Sequence, residues 1–289
     1  MQWLLLSLLT ALAVSSQDAC VKKFFSGLTP VEMSVYPLLY SLPLFAVSAL
    51  LIPVPHIGPD FLWCFLISIP LNGLTFVLYM KALKISPLSL TVPYLAFTPV
   101  FMILTGYLFL DEIPGIRGMS GIGLICAGGY VLQIDPGKWN LLAPVQALFR
   151  EKGSRIMLFV AFVYSLTSVI GKKAILNSSP LFFTMTFYTL FNVLMILFFR
   201  VNGNIRLAAF RKDAAKGLTA GLMLFFHGLF HGWAISLVQA AYMISVKRLS
   251  VVISVLYGRF LFKEENMFFR LSGAVFMLAG TILIMLPGN

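Results

Sequence analysis

Two adjacent cations, Lys247 and Arg248, stand inside a stretch that is otherwise largely apolar from about residue 241 to 262. A charge near the middle of a bilayer costs at least ~2.5 kcal/mol when nothing compensates it. Such a pair therefore needs an anionic partner, water or a ligand. Upstream, His227 and His231 are separated by one helical turn in another apolar stretch, so their rings share a helix face. With the intervening turn at about Gln239, His231 and Lys247 are equally far from it, roughly 12 Å at 1.5 Å per residue. The two can then meet at one depth. Tyr94 and Tyr242 can add amphipathic wall, each with a hydroxyl for hydrogen bonding. This constellation suits a carboxylate or another anionic group. Imidazoles, with an ordinary pKa of about 6.5, can adjust its charge or pass a proton. Asp18 has Lys22 one turn further along its own apolar stretch; it either pairs with that lysine on one face or carries a proton. A second reading of Lys247 and Arg248 stays open, in which the helix starts late and both belong to an ordinary loop.

Other chemistries find no constellation. HGLFH, from His227 to His231, lacks the glutamate of HExxH and has no evident third ligand, so no metal site is expected. There is no P-loop, no G-x-G-x-x-G and no G-x-S-x-G, for which Gly118, Ser120 and Gly121 are a near miss. Neither an enzyme nor a cofactor is expected. Cys20, Cys64 and Cys126 lie in or beside apolar runs without C-x-x-C spacing, and read as inert core residues.

The elements that must hold these groups are set by composition. With 60% hydrophobic and 11% charged residues and a mean hydropathy of +0.94, the chain has too few polar groups to cover a water-soluble globule. It reads as an integral membrane protein. The net charge of +11 does not point to nucleic acid, because the cations collect at the ends of apolar runs instead of forming a basic stripe with interleaved aromatics.

Apolar segments of spanning length fall near residues 2–25, 31–52, 60–80, 87–110, 115–133, 155–175, 180–199, 217–237, 241–262 and 267–286. About 20 apolar residues cross the hydrocarbon core. The first segment lacks a charged leading region and a small-x-small cleavage site, so it is expected to remain as a spanning helix. The polar stretches Asp135 to Arg155 and Arg200 to Lys216 are too short for a soluble domain.

The chain is one unit written twice. A shift of 152 positions pairs Ala82 with Ala234, Gly106 with Gly258, Glu112 with Glu264, Gly121 with Gly273 and Gly128 with Gly280. Earlier, a shift of 150 pairs Lys22, Lys23 and Pro30 with Lys172, Lys173 and Pro180. The expected fold is all-α and polytopic, with ten transmembrane helices as two five-helix repeats, 1–135 and 155–289, joined by 136–154. An odd number per copy sets the second copy upside down relative to the first, the inverted topology common among secondary transporters. Gly118, Gly121, Gly128, Gly273 and Gly280 are expected to pack helices closely within the protomer, with contact between protomers as the alternative. Asp111, Glu112, Glu264 and Glu265 are expected in solvated turns beside the N-terminus of the helix that follows each.

An alanine after the third segment, a Ser-Pro turn at Ser86 and Pro87, a Pro-containing fourth segment ending Gly-x-Leu-Phe-Leu-x-Glu from Gly106 to Glu112, and a Gly-rich fifth segment resemble the EamA family of the drug/metabolite transporter superfamily. The second half repeats this more loosely, with Val251 where the first has Pro99. The resemblance implies a multi-pass transporter of the bacterial inner membrane, with segments 1 to 4 and 6 to 9 around a central cavity and the fifth and tenth as outer scaffolds. The expected activity is alternating-access transport of a small polar metabolite, an organic anion or zwitterion such as an amino acid. Alternatives are a multidrug or cationic-solute exporter of the same fold, or an intramembrane lipid-handling protein or enzyme. Recovery of intact solute across a vesicle membrane separates transport from conversion. The expected partners are a small solute and membrane lipid, with no nucleic acid, the chain being monomeric or homodimeric. Orientation is contested: of the 21 lysines and arginines only Arg117, Lys172, Lys173, Lys247 and Arg248 fall on one side of the segment scheme. The charge rule then puts both termini outside, whereas the resemblance implies cytoplasmic termini.

Overall fold

The computed structural model describes residues 1–86, 92–131, 146, 149–203, 205, 214–262 and 267–286. Its elements are α1 (Gln2–Phe25), α2 (Pro30–Leu51), α3 (Phe61–Ile85), a 3₁₀ helix (Val92–Phe97) leading into α4 (Thr98–Leu110), α5 (Ile116–Val131), α6 (Lys152–Leu176), α7 (Pro180–Val201), α8 (Ala214–Ser236), α9 (Ala240–Lys247), α10 (Ser250–Phe262) and α11 (Met267–Met285). No strand occurs among the described residues. Helices α1, α2, α3, α6, α7 and α8 are each long and apolar enough to cross a membrane, and shorter apolar helices run over Tyr94–Leu110 and Ser272–Met285. Glu264, Glu265 and most of the 136–154 connection lie outside the described residues.

Local chemistry explains the boundaries. Thr29 opens α2 with a capping box: its hydroxyl accepts from the Glu32 N–H at 3.3 Å, and the Glu32 carboxylate accepts from the Thr29 N–H at 3.1 Å. Pro30 stands at the first helical position, where its missing N–H costs nothing. Ser179 and Pro180, each 150 positions later, open α7 similarly, with the Ser179 hydroxyl accepting from the Phe182 N–H at 3.2 Å.

The stretches expected as single helices over 87–110 and 241–262 are both interrupted. In the first, Pro99 near the start of α4 has no N–H to return to Leu95, and the preceding turn is tightened to 3₁₀. In the second, α9 stops at Lys247 and α10 starts at Ser250. Backbone bonds across this point shorten to the i→i−3 pattern, with the Leu249 N–H donating to Val246 and the Val251 N–H to Arg248, both at 3.0 Å. The positions correspond: α4 runs from Thr98 to Leu110 and α10 from Ser250 to Phe262, offset by 152 at both ends.

The helices divide into two compact units, residues 1–73 with 171–237, and residues 74–170 with 238–289; α3 and α6 each contribute to both. In the first unit α2 packs on α7, with Ser41 against Asn192 (3.0 Å) and Phe45 stacked on Tyr188 (4.7 Å). Residue numbers rise on one helix as they fall on the other, so the pair is antiparallel. Glycines let α8 approach both: a methyl on Gly221 would lie 2.6 Å from the Tyr40 carbonyl carbon, and one on Gly228 2.9 Å from the Tyr188 ring. Small residues are what close helix packing in lipid rewards. At one end of this unit the Lys23 and Lys216 ammonium groups lie 5.9 and 6.0 Å from the Phe24 ring, which brings the end of α1 and the start of α8 together.

The second unit is built around α5 against α11. A methyl on Gly121 would lie 2.6 Å from the Gly280 carbonyl oxygen, and one on Gly128 2.5 Å from that of Gly273. This pair is also antiparallel, and each glycine meets the residue 152 positions after the other. Gly118 lies directly under the Tyr242 ring. All five glycines are in close contact with other residues of the same protomer.

Candidate functional site

Arg248 sits at the interruption between α9 and α10. Its guanidinium Nη2 donates to the Thr98 hydroxyl at 2.9 Å, and that hydroxyl donates to the Leu95 carbonyl at 2.8 Å. One side chain thus ties the two interrupted stretches together inside the second unit. The Arg248 Nε is buried and has no hydrogen-bond partner among the described residues. Ionisable groups acting on its charge are Cys126, Tyr164 and Tyr79, phenols and a thiol that are neutral near pH 7 at their ordinary pKa values. Among the described residues no carboxylate pairs with it. The Cys126 thiol donates to the Ala96 carbonyl at 2.8 Å, and Tyr79 and Tyr164 pack on a cluster formed by Ala82, Tyr94, Met157 and Val160. A guanidinium offers five donors and cannot shed its charge. Held in this way, it keeps one buried donor, Nε–H, that no described residue uses.

Lys247 is the last residue of α9 and is partly exposed. A helix covers Lys247 and breaks at the next residue, so the two cations stand neither inside one continuous helix nor in an ordinary loop. Tyr94 is 4% exposed with its ring 6.5 Å from that of Phe97. Tyr242, also buried, accepts from the Gly115 N–H at 3.1 Å through its hydroxyl. Both tyrosines are therefore buried in the second unit. His227 and His231 belong to α8 in the first unit, with ring centroids 5.9 Å apart at 74°. Asp18 and Lys22 are both exposed on α1. Among the described residues no three histidines, cysteines or acids gather as a metal site would need.

Two features gave no signal in the sequence. Glu112 lies in the turn between α4 and α5, and its carboxylate also accepts from the Ala240 N–H at 2.8 Å and so caps α9. Gln239 Nε2 donates to the Ile113 carbonyl at 3.3 Å beside it. The left-handed turn at Asp111 (φ 54°) aims the chain there, a conformation aspartate tolerates. The turn after α4 thereby fixes the helix that carries Lys247 and Arg248. Lys172 counted only as a cation near a segment end; on α6 it is 4% exposed. Its placement beside Lys173 gave no signal of this. Lys173 instead pairs with Asp60 at 3.2 Å and lies 5.3 Å from the Trp63 ring centroid.

The sequence model of the EamA-like transporter family matches residues 1–133 and 152–286. The chain belongs to the EamA-like transporter family. It is accordingly a multi-pass membrane protein of a transporter family, one that handles small solutes across a lipid bilayer and is not a family of enzymes. Among solved structures, one described as "Crystal structure of protein" superposes with a TM-score of 0.72, covering 98% of this EamA-like chain and 97% of its own at 13% identity. That likeness shows a shared fold. No curated protein matches.

Proposed function

We propose that this EamA-like protein is a secondary transporter that moves a small organic anion or zwitterion, such as an amino acid, across the bacterial inner membrane by alternating access. The observation that carries the reading is Arg248, a partly buried cation with an unused donor and no described carboxylate partner, held at a helix interruption. Irregular backbone at membrane depth is tolerated where it lines a cavity or is covered by protein, and discontinuous helices recur at transporter sites. Lys247 adds positive charge, Tyr94 and Tyr242 form wall, and His227, His231 or Asp18 carry a proton during the cycle.

The ten-segment plan with repeats over 1–135 and 155–289 is supported by two pairs of repeat mates, α2 with α7 and α5 with α11, each packed antiparallel. Inverted copies require that direction. The charge distribution favours external termini. Glu112→Cys and Glu264→Cys should be labelled from opposite sides of the membrane, and labelling of both from one side only would remove the repeat. A C-terminal phosphatase fusion should be active; inactivity would reverse the orientation. For the substrate, purified protein is screened by thermal shift against metabolites, since binding to the native state raises its stability, and hits are followed by uptake of intact solute into vesicles. Anionic and zwitterionic hits support the reading. A purely cationic profile, or recovery of a chemically altered product, would reject it.

A further inference from the structure

Pro99 has no N–H, so the Leu95 carbonyl lacks the donor that a regular helix supplies four residues on. The Thr98 hydroxyl takes that place and donates to Leu95 at 2.8 Å. A hydroxyl carries one hydrogen and two lone pairs, so with its hydrogen committed it can only accept. One lone pair receives the Arg248 Nη2 donor at 2.9 Å. Thr98 is 1% exposed, and Pro99 beside it is buried too. At the second interruption Val251, 152 positions after Pro99, keeps its N–H and donates it to the Arg248 carbonyl at 3.0 Å. The two interruptions are complementary: the proline-bearing one presents an acceptor and the other a cation.

The backbone of Arg248 is secured without Thr98, since its N–H also donates to the Ile244 and Ser245 carbonyls at 3.1 Å. These bonds leave open the direction of a long side chain rich in rotamers. A guanidinium is planar, so anchoring Nη2 also orients Nε–H, the buried donor that no described residue uses.

We propose that Thr98 is a positioning residue for solute recognition: by holding Nη2 it aims the Nε–H of Arg248 at a carboxylate or phosphoryl oxygen of the transported solute. The proposal rests on the transporter reading above, and its groups all lie within the second unit. Ordering a donor in advance removes a cost that a free side chain meets on binding. Thr98 therefore governs affinity and leaves the maximal transport rate nearly unchanged.

The test uses the full chain in detergent and in vesicles, with glutamate, citrate and inorganic phosphate as probes. The parent should bind at least one of them. Thr98→Val keeps the shape and removes the acceptor. It should raise the half-saturating concentration of that probe about tenfold, the scale of a lost hydrogen bond to a charged group, with the maximal rate within about twofold. Thr98→Ser restores the hydroxyl and should lie within about threefold of the parent. Thr98→Val also strips the Leu95 carbonyl of its donor, to which a purely structural role would assign the loss. Combining it with Pro99→Ala separates the causes, because a backbone N–H returns to Leu95 while Arg248 still lacks its acceptor. The double variant should stay weak, and it decides alone if Thr98→Val does not fold. Parent affinity in a folded Thr98→Val protein, recovery in the double variant, or a fall in maximal rate with affinity kept overturns the proposal. Affinity lost in Arg248→Met but kept in Thr98→Val rejects Thr98 alone. Parent affinity in Arg248→Met, or a parent that binds no probe, overturns the Arg248 reading together with this one.

Discussion

At matching points in two spans 152 positions apart, α4 begins at Thr98 and α10 at Ser250, each just after a tightened stretch of backbone. The residues just before these points differ in kind. Leu95 and Ala96 occupy the first, Lys247 and Arg248 the second. The same contrast recurs at the 150-position offset, where Lys22 is exposed and Lys172 is 4% exposed. Helix starts at Thr29 and Ser179 and the glycine contacts recur at the 150- and 152-position offsets, while buried or partly buried cations stand only at the later member of each compared pair. What recurs at these offsets belongs to the architecture, and the proposed solute recognition rests on what does not recur.

The shared architecture breaks most severely at the glycine contacts. Gly121→Leu drives a side chain into the Gly280 carbonyl and Ile284, and overpacking of this kind costs about 1–3 kcal/mol or more. Folded yield and thermal midpoint should fall sharply. Gly123→Leu, at a position with nothing within 4 Å, should change stability by no more than about 0.5 kcal/mol. Equal effects would show that the close approach of α5 and α11 does not support the fold. A smaller break lies at Glu112. Glu112→Ala removes the cap from α9, at about 1 kcal/mol, and should weaken solute binding up to about fivefold. Glu112→Gln keeps an acceptor and should lie nearer the parent. Identical binding in all three would detach the turn from the site.

The smallest effect concerns Asp60, outside the spans. Its hydrogen bond from Trp63 and its contact with Lys173 hold the carboxyl below the usual carboxylate range. The sign follows: the stabilisation is present above the unfolded pKa of about 3.9 and is lost as pH falls through the lower folded value. Asp60→Asn should lower the thermal midpoint slightly at neutral pH, and the difference should shrink at pH values below about 4. A difference independent of pH would assign the effect to packing.

Much of this was legible without coordinates, for stated reasons. Spans follow from hydropathy, and helix starts at Pro30 and Pro180 follow from the Thr-Pro and Ser-Pro pairs that cap them. The glycine contacts followed from small residues recurring at repeat-related positions. The interruption at Arg248 did not, because residues 241–262 contain no proline and no glycine near that point. It is accompanied by a contact to Thr98, which is 150 residues away in the chain. Glu112 likewise caps a helix far along the sequence, and which of two neighbouring lysines is buried depends on packing that neither residue type encodes.

The most direct test of a charge-bearing second copy is uptake by purified protein in vesicles, with the parent compared with Arg248→Met and Arg248→Lys. Whatever anionic or zwitterionic solute the parent carries, Arg248→Met should abolish its uptake while the folded protein persists in the membrane, and Arg248→Lys should retain a fraction. Full uptake of that solute by Arg248→Met would contradict the account.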